Sequence, residues 1–181
     1  MKELSLNVLD IVLNSVKAKA SLVTIEILER EMLEITIADN GCGMAPEFLA
    51  RVIDPFTTTR TTRKVGLGIP LFKLAAEMAG GTFRIESEEG VGTTVCATFD
   101  PRNIDCPPLG DMAGTMVTLI SGYPETDFLY RRAVGEAEFS VDTRQLREIM
   151  GEIPLSSFEV TNFVREMIEE NERELTRGGN E

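Results

Sequence analysis

Histidine is absent from the 181 residues. Without an imidazole, a Ser-His-Asp triad, a Cys-His nucleophile pair and most catalytic metal sites are excluded, and so is a phosphohistidine on these residues. Cysteine is scarce: Cys42, Cys96 and Cys106 form no C-x-x-C pair, and three over this length favour neither a disulfide scaffold nor a structural zinc site. Positive charge is in short supply, with 18 Lys+Arg against 30 Asp+Glu for a net charge of −12. Such a surface repels phosphate backbones, so no nucleic acid partner is expected. Apolar runs fall short of the roughly 18 to 20 residues that cross a bilayer, and the opening MKELSLNVLD is too acidic and interrupted for a signal peptide. No membrane association and a cytoplasmic location are the expectations. Any chemistry then rests on carboxylates, amides, hydroxyls, lysine and arginine.

What remains is ordinary globular composition, 43% apolar and 27% charged, enough for one domain and a small appendage. Leu9, Leu13, Val16 and Ala20 recur on one helical face, predicting a helix over roughly residues 3 to 19. Alternation around Val23, Ile25 and Ile27, and around Leu33, Ile35 and Ile37, predicts a hairpin. A short helix with Pro46 in its first turn follows, then an aperiodic loop over 54 to 65. GLGIPLFKLAAEMAGG reads as a glycine-rich turn opening a helix, and TFRIESE and TTVCATF as a second hairpin. This order predicts an α+β fold, a two-layer sandwich with a mixed, mostly antiparallel sheet covered by helices.

A second region is expected from residue 101 to 181, after a domain spanning 1 to 100. PRNIDCPPLGD reads as a connector, TMVTLIS (115 to 121) as a strand, and DFLYRRAV with AEFSV as a strand pair. A short helix capped by Asp142 and a last helix over 155 to 175 complete a small C-terminal α/β extension. Residues 1 to 100 hold 10 Lys+Arg and 14 Asp+Glu, whereas 101 to 181 hold 8 and 16, so the tail carries most of the acidity.

Four constellations carry chemistry. Asp10, Asn14 and Lys17 share one helical stripe, where an amide oxygen is a hard Mg²⁺ ligand, an ammonium meets phosphate, and a carboxylate can orient water. The same stripe also suits a solvent-facing helix surface. Asp39-Asn40-Gly41-Cys42-Gly43 follows a strand and presents a carboxylate beside two glycines, a pattern that reads a purine amine or makes a plain turn. Gly66-Leu67-Gly68 opens a helix, whose free N–H groups favour an anion. Before it, Arg60, Arg63 and Lys64 form the densest positive cluster, as in a lid or a solvated loop. Gly90-Val91-Gly92-Thr93 sets a hydroxyl at the head of a strand after a tight turn.

Taken together and in this order, these motifs within the first 100 residues resemble the GHKL (Bergerat-fold) ATPase superfamily, and within it the ATP-binding domains of histidine kinases and anti-sigma serine kinases. The short stretch of nine residues between Phe56 and Gly66, and Lys17 three residues after Asn14, carry the closer likeness. The resemblance implies ATP and Mg²⁺ as cofactors. It implies that Asn14 ligates Mg²⁺, Lys17 contacts phosphate, and Asp39 accepts from the adenine amine. Gly41 and Gly43 would shape that pocket, Gly66 and Gly68 with Leu67 and the basic cluster would face phosphates, and Thr93 would support adenine recognition. Asp10 stands where the family commonly has a glutamate base. Without a histidine among these residues, a phosphoacceptor is expected on another protein. The implied function is phosphoryl transfer in trans by a kinase or ATPase; the alternative is an ATP-gated binding module with little turnover. The last helix leaves a homodimer possible.

Overall fold

The computed structural model describes residues 3–54 and 67–178. Helix α1 (Leu4–Lys17) buries Leu4, Val8, Ile11, Val12 and Ser15, the one-face spacing of an amphipathic helix. The hairpin β1 (Leu22–Glu29) and β2 (Leu33–Asp39) buries Val23, Ile25, Ile27, Ile35 and Ile37, the period-2 pattern of a sheet with one covered face. After α2 (Pro46–Ile53), α3 (Gly68–Met78) precedes a second hairpin, β3 (Phe83–Glu88) and β4 (Gly92–Phe99). Phe72 of α3 packs edge-on against Phe83 and tilted on Phe99, joining that helix to the hairpin. The opposite side of α3 is also apolar, and Leu67, Leu71, Leu74 and Met78 are about half or more exposed.

The C-terminal region adds α4 (Met112–Gly122), β5 (Asp127–Val134), β6 (Ala137–Asp142), α5 (Thr143–Met150) and α6 (Phe158–Gly178). All six strands form one sheet in the order β3-β4-β2-β1-β5-β6, with β1 and β5 parallel and the other neighbours antiparallel. In that register Val23, Ile25 and Ile27 stand beside Phe128, Tyr130 and Arg132. All of these but Arg132 belong to one continuous hydrophobic core. The result is an α+β sandwich with a mixed sheet, as the order of elements predicts, and no helix is long and apolar enough to cross a membrane among the described residues.

One expectation is corrected. Residues 115 to 121 are not a strand but lie in α4. The Asp111 carboxylate accepts from the Gly114 N–H at 2.8 Å and caps the helix start. Met112, Met116, Leu119 and Ile120 then recur at helical spacing toward the core. The threonines, valine and isoleucine of this stretch favour a strand locally, and burial of the 3.6-period face overrides them. The C-terminal region therefore runs helix, two strands, two helices.

Candidate functional site

Where β2 ends, hydrogen bonds tie the chain to the start of β1 and to the C-cap of α1. The Asn40 side-chain oxygen accepts from the Ser21 and Leu22 N–H groups at 2.9 and 3.0 Å, and its amide donates to Ser21 Oγ at 2.8 Å. The Cys42 N–H donates to the Ala18 carbonyl at 3.0 Å. A Cβ at position 41 would sit 2.9 Å from both the Ala18 Cβ and its carbonyl oxygen, so only glycine lets helix and loop come this close. Gly43 has φ +68°, and a Cβ there would overlap the Glu88 carbonyl. The β3–β4 turn is thereby clasped to the loop, where the Gly90 N–H donates to the Cys42 carbonyl at 2.8 Å.

This packing fixes Asp39. Its Oδ2 accepts from Ser15 Oγ at 2.6 Å and its Oδ1 from the Gly41 N–H at 2.8 Å. Asp39 pairs across the sheet with Thr93, which in turn pairs with Ser87. The Ser87 and Thr93 hydroxyls are 2.7 Å apart, and Ser87 Oγ accepts from the Met44 N–H at 2.8 Å. A carboxylate and a hydroxyl thus stand side by side at the end of two strands, each held by neighbours from a different element.

Both face a cavity of about 520 Å³, within the range of small-molecule sites. Asn14 and Lys17 of α1, Asp39, Gly43 and Thr93 line it, so five of the residues singled out in the sequence converge there. Gly41 acts from beneath through its bond to Asp39. Asp10 is exposed and outside the lining; its Cβ lies against Gly68, where a substituted Cβ would approach it to 3.2 Å and Asn14 Nδ2 to 3.9 Å. This brings the first turn of α3 beside the polar stripe of α1. Leu67 is the N-cap residue of α3 and 60% exposed. Arg60, Arg63, Lys64 and Gly66 lie outside the described residues.

Apart from Ser15 and Glu89 the rest of the lining is mostly apolar, with Ile11, Ile37, Phe48, Val52, Ile69 and Val95 forming walls that suit a flat ring. Sequence reasoning missed these walls, and it missed Ser15 and Ser87. Ser15 adjoins Asn14 but turns to the buried side of α1, and Ser87 is one of the alternating residues of an edge strand. Neither position carries a motif. Among the described residues no group of three or more histidine, cysteine, aspartate or glutamate side chains converges to hold a metal. One amide oxygen from Asn14 fits a Mg²⁺ ion that keeps waters and substrate phosphates as its other ligands.

Comparison with known proteins finds relatives among the histidine kinases. Over 87 residues the chain is 38% identical to a sensor-like histidine kinase of Rhizobium meliloti, covering 45% of this chain and 17% of that protein. It is 41% identical over 68 residues to histidine protein kinase DivJ of Caulobacter vibrioides, covering 35% and 11%, and 38% identical over 80 residues to sporulation kinase E of Bacillus subtilis, covering 44% and 11%. The chain thus spans less than a fifth of the length of each kinase. The Aquifex aeolicus MutL ATPase domain complexed with ADP superposes with a TM-score of 0.46 at 20% identity, covering 79% of this chain and 66% of that one. The family described as histidine kinase-, DNA gyrase B- and HSP90-like ATPase matches residues 2–103, more than half of the 181, and the chain belongs to it.

Proposed function

We propose that the cavity binds Mg-ATP and that the chain passes the γ-phosphoryl group to a partner protein. Asp39 accepts from the adenine amine, Thr93 supports the same base edge, and the apolar walls hold the ring. Asn14 contributes the protein's ligand to Mg²⁺, Lys17 meets phosphate oxygens, and Gly41 and Gly43 keep the base pocket open. The backbone of Gly66, Leu67 and Gly68 and the basic side chains of Arg60, Arg63 and Lys64 complete the phosphate end. The observation that carries this reading is the Asp39 carboxylate, held by one donor on each oxygen at a cavity that Asn14 and Lys17 also line. Phosphoryl transfer needs positioning and charge neutralisation more than covalent chemistry, and Mg²⁺ when bound supplies part of that neutralisation. The exposed leucine face of α3, which begins at Leu67, supports a protein as the acceptor.

A second reading has one observation in its favour. Asp10, at the position of the expected base, is exposed and does not line the cavity. Water activation is then weak, and the chain would act as an ATP-gated binding module with little turnover. Incubation with γ-labelled ATP and the partner separates the two. Label on the partner supports transfer, nucleotide-dependent affinity without label supports gating, and failure to bind any adenine nucleotide defeats both. Asn14→Ala should abolish the dependence of ATP affinity on Mg²⁺; equal dependence in variant and parent would remove that role.

A further inference from the structure

Ser15 lies outside every motif that marks the site, yet it makes the shortest side-chain bond there. Its side chain is on the buried face of α1, with the residue only 3% exposed, and its hydroxyl donates to Asp39 Oδ2 at 2.6 Å. The other carboxylate oxygen accepts from the Gly41 N–H at 2.8 Å. With one fixed donor on each oxygen, the carboxylate has only acceptor capacity left to offer the cavity. It is also held in one rotamer by two elements, the helix and the loop.

We infer that Ser15 is a positioning residue for base choice: by holding Asp39 as an acceptor, it makes the cavity prefer a purine with an amine at position 6 over one with a carbonyl there. This deepens the ATP reading and rests on it. A 6-amino group donates to Asp39, whereas a 6-carbonyl sets two acceptors face to face, with the carboxylate unable to turn away without breaking a bond already made. Removing the Ser15 hydroxyl frees Oδ2 to rotate away from a facing carbonyl and leaves the acceptor less well aimed at a facing amine. The loss therefore falls on discrimination and not on binding as a whole.

The test is calorimetric titration of the full chain, as parent, Ser15→Ala and Ser15→Thr, with ATP and with inosine triphosphate in the same Mg²⁺ buffer. The parent should prefer ATP, Ser15→Ala should narrow that preference roughly tenfold, mainly through weaker ATP binding, and Ser15→Thr, which keeps the hydroxyl, should restore most of it. A Ser15→Ala variant that weakens both nucleotides by the same factor, or changes neither, overturns the inference, because a purely structural role moves both alike. A parent that binds neither nucleotide overturns the nucleotide-site reading itself, and this inference with it.

Discussion

The two halves of the sheet are held together by different chemistry. In the β2–β4 half, bonds around the cavity come from hydroxyls and backbone N–H groups, and close approach is secured by glycines. In the β5 half the fastening is ionic. Arg132, 3% exposed, donates from its guanidinium to Glu29 at 2.7 Å and to Glu172 of α6 at 3.3 Å, and to the Ala133 carbonyl at 3.1 Å. The Tyr130 hydroxyl donates to the other Glu172 oxygen at 2.9 Å. Burial works against the charge on Arg132, but the bond it donates to Glu29 and the charges of Glu172 and Glu29 leave its pKa raised. The lesson is one of spare capacity. Around Arg132 both carboxylates and the guanidinium answer one another, which suits a fastening of helix to sheet, whereas among the described residues the donors to Asp39 are a hydroxyl and a backbone N–H, both neutral.

Substitutions in the two halves should therefore separate stability from nucleotide affinity. The largest effect is expected from Arg132→Ala, which takes the guanidinium from Glu29 and leaves Glu172 with the Tyr130 hydroxyl, and should cost about 3 kcal/mol of unfolding free energy in urea while leaving ATP affinity of the folded protein unchanged. Asp39→Asn is the converse. An amide can put a donor toward the adenine amine, so ATP affinity should fall by about 2–3 kcal/mol, roughly 30- to 150-fold in Kd, with stability changed by less than about 1 kcal/mol. Gly41→Ala crosses the division. Its Cβ must displace Ala18, so both stability and affinity should drop by about 1–2 kcal/mol, read from melting and titration of one preparation.

A smaller, pH-dependent effect sharpens the ionic half. Burial first, and then the charge of Glu172 and the bond to it, push the Tyr130 hydroxyl well above the ordinary 10.0. A group whose folded pKa is raised contributes stability that is whole below the unfolded value and is lost as pH climbs toward the folded one. Tyr130→Phe should thus lose about 1 kcal/mol at neutral pH. Above pH 10 the parent should lose its advantage over the variant by up to about 1.4 kcal/mol per pH unit. A gap between the two that stays constant from pH 9 to 11 would contradict the buried, hydrogen-bonded placement.

Much of the first 100 residues was legible because local signals and tertiary demands coincide there. The alternation in β1 and β2 matches a sheet covered on one side, and Gly41 and Gly43 stand where the backbone allows nothing larger. Convergence of Asn14, Lys17, Asp39 and Thr93 on one cavity could be expected only from their order in the chain, through the resemblance it carries, since spacing alone fits a solvated helix face equally well. What stayed hidden depends on distant pairing. Nothing around Asp127 says that β5 runs parallel to β1, and α4 was misread because Thr115, Val117 and Thr118 favour strands while burial of Met116 and Leu119 decides for a helix. Ser15 and Ser87 gain meaning only once Asp39 and Thr93 are placed beside them.

The most direct test is a crystal structure of the chain with Mg²⁺ and a non-hydrolysable ATP analogue. The expected result is the adenine amine within hydrogen-bond distance of the Asp39 carboxylate, the ring between the apolar walls, and the phosphates at the Asn14 and Lys17 end. A nucleotide bound elsewhere, or one with its base turned away from Asp39, would contradict the account.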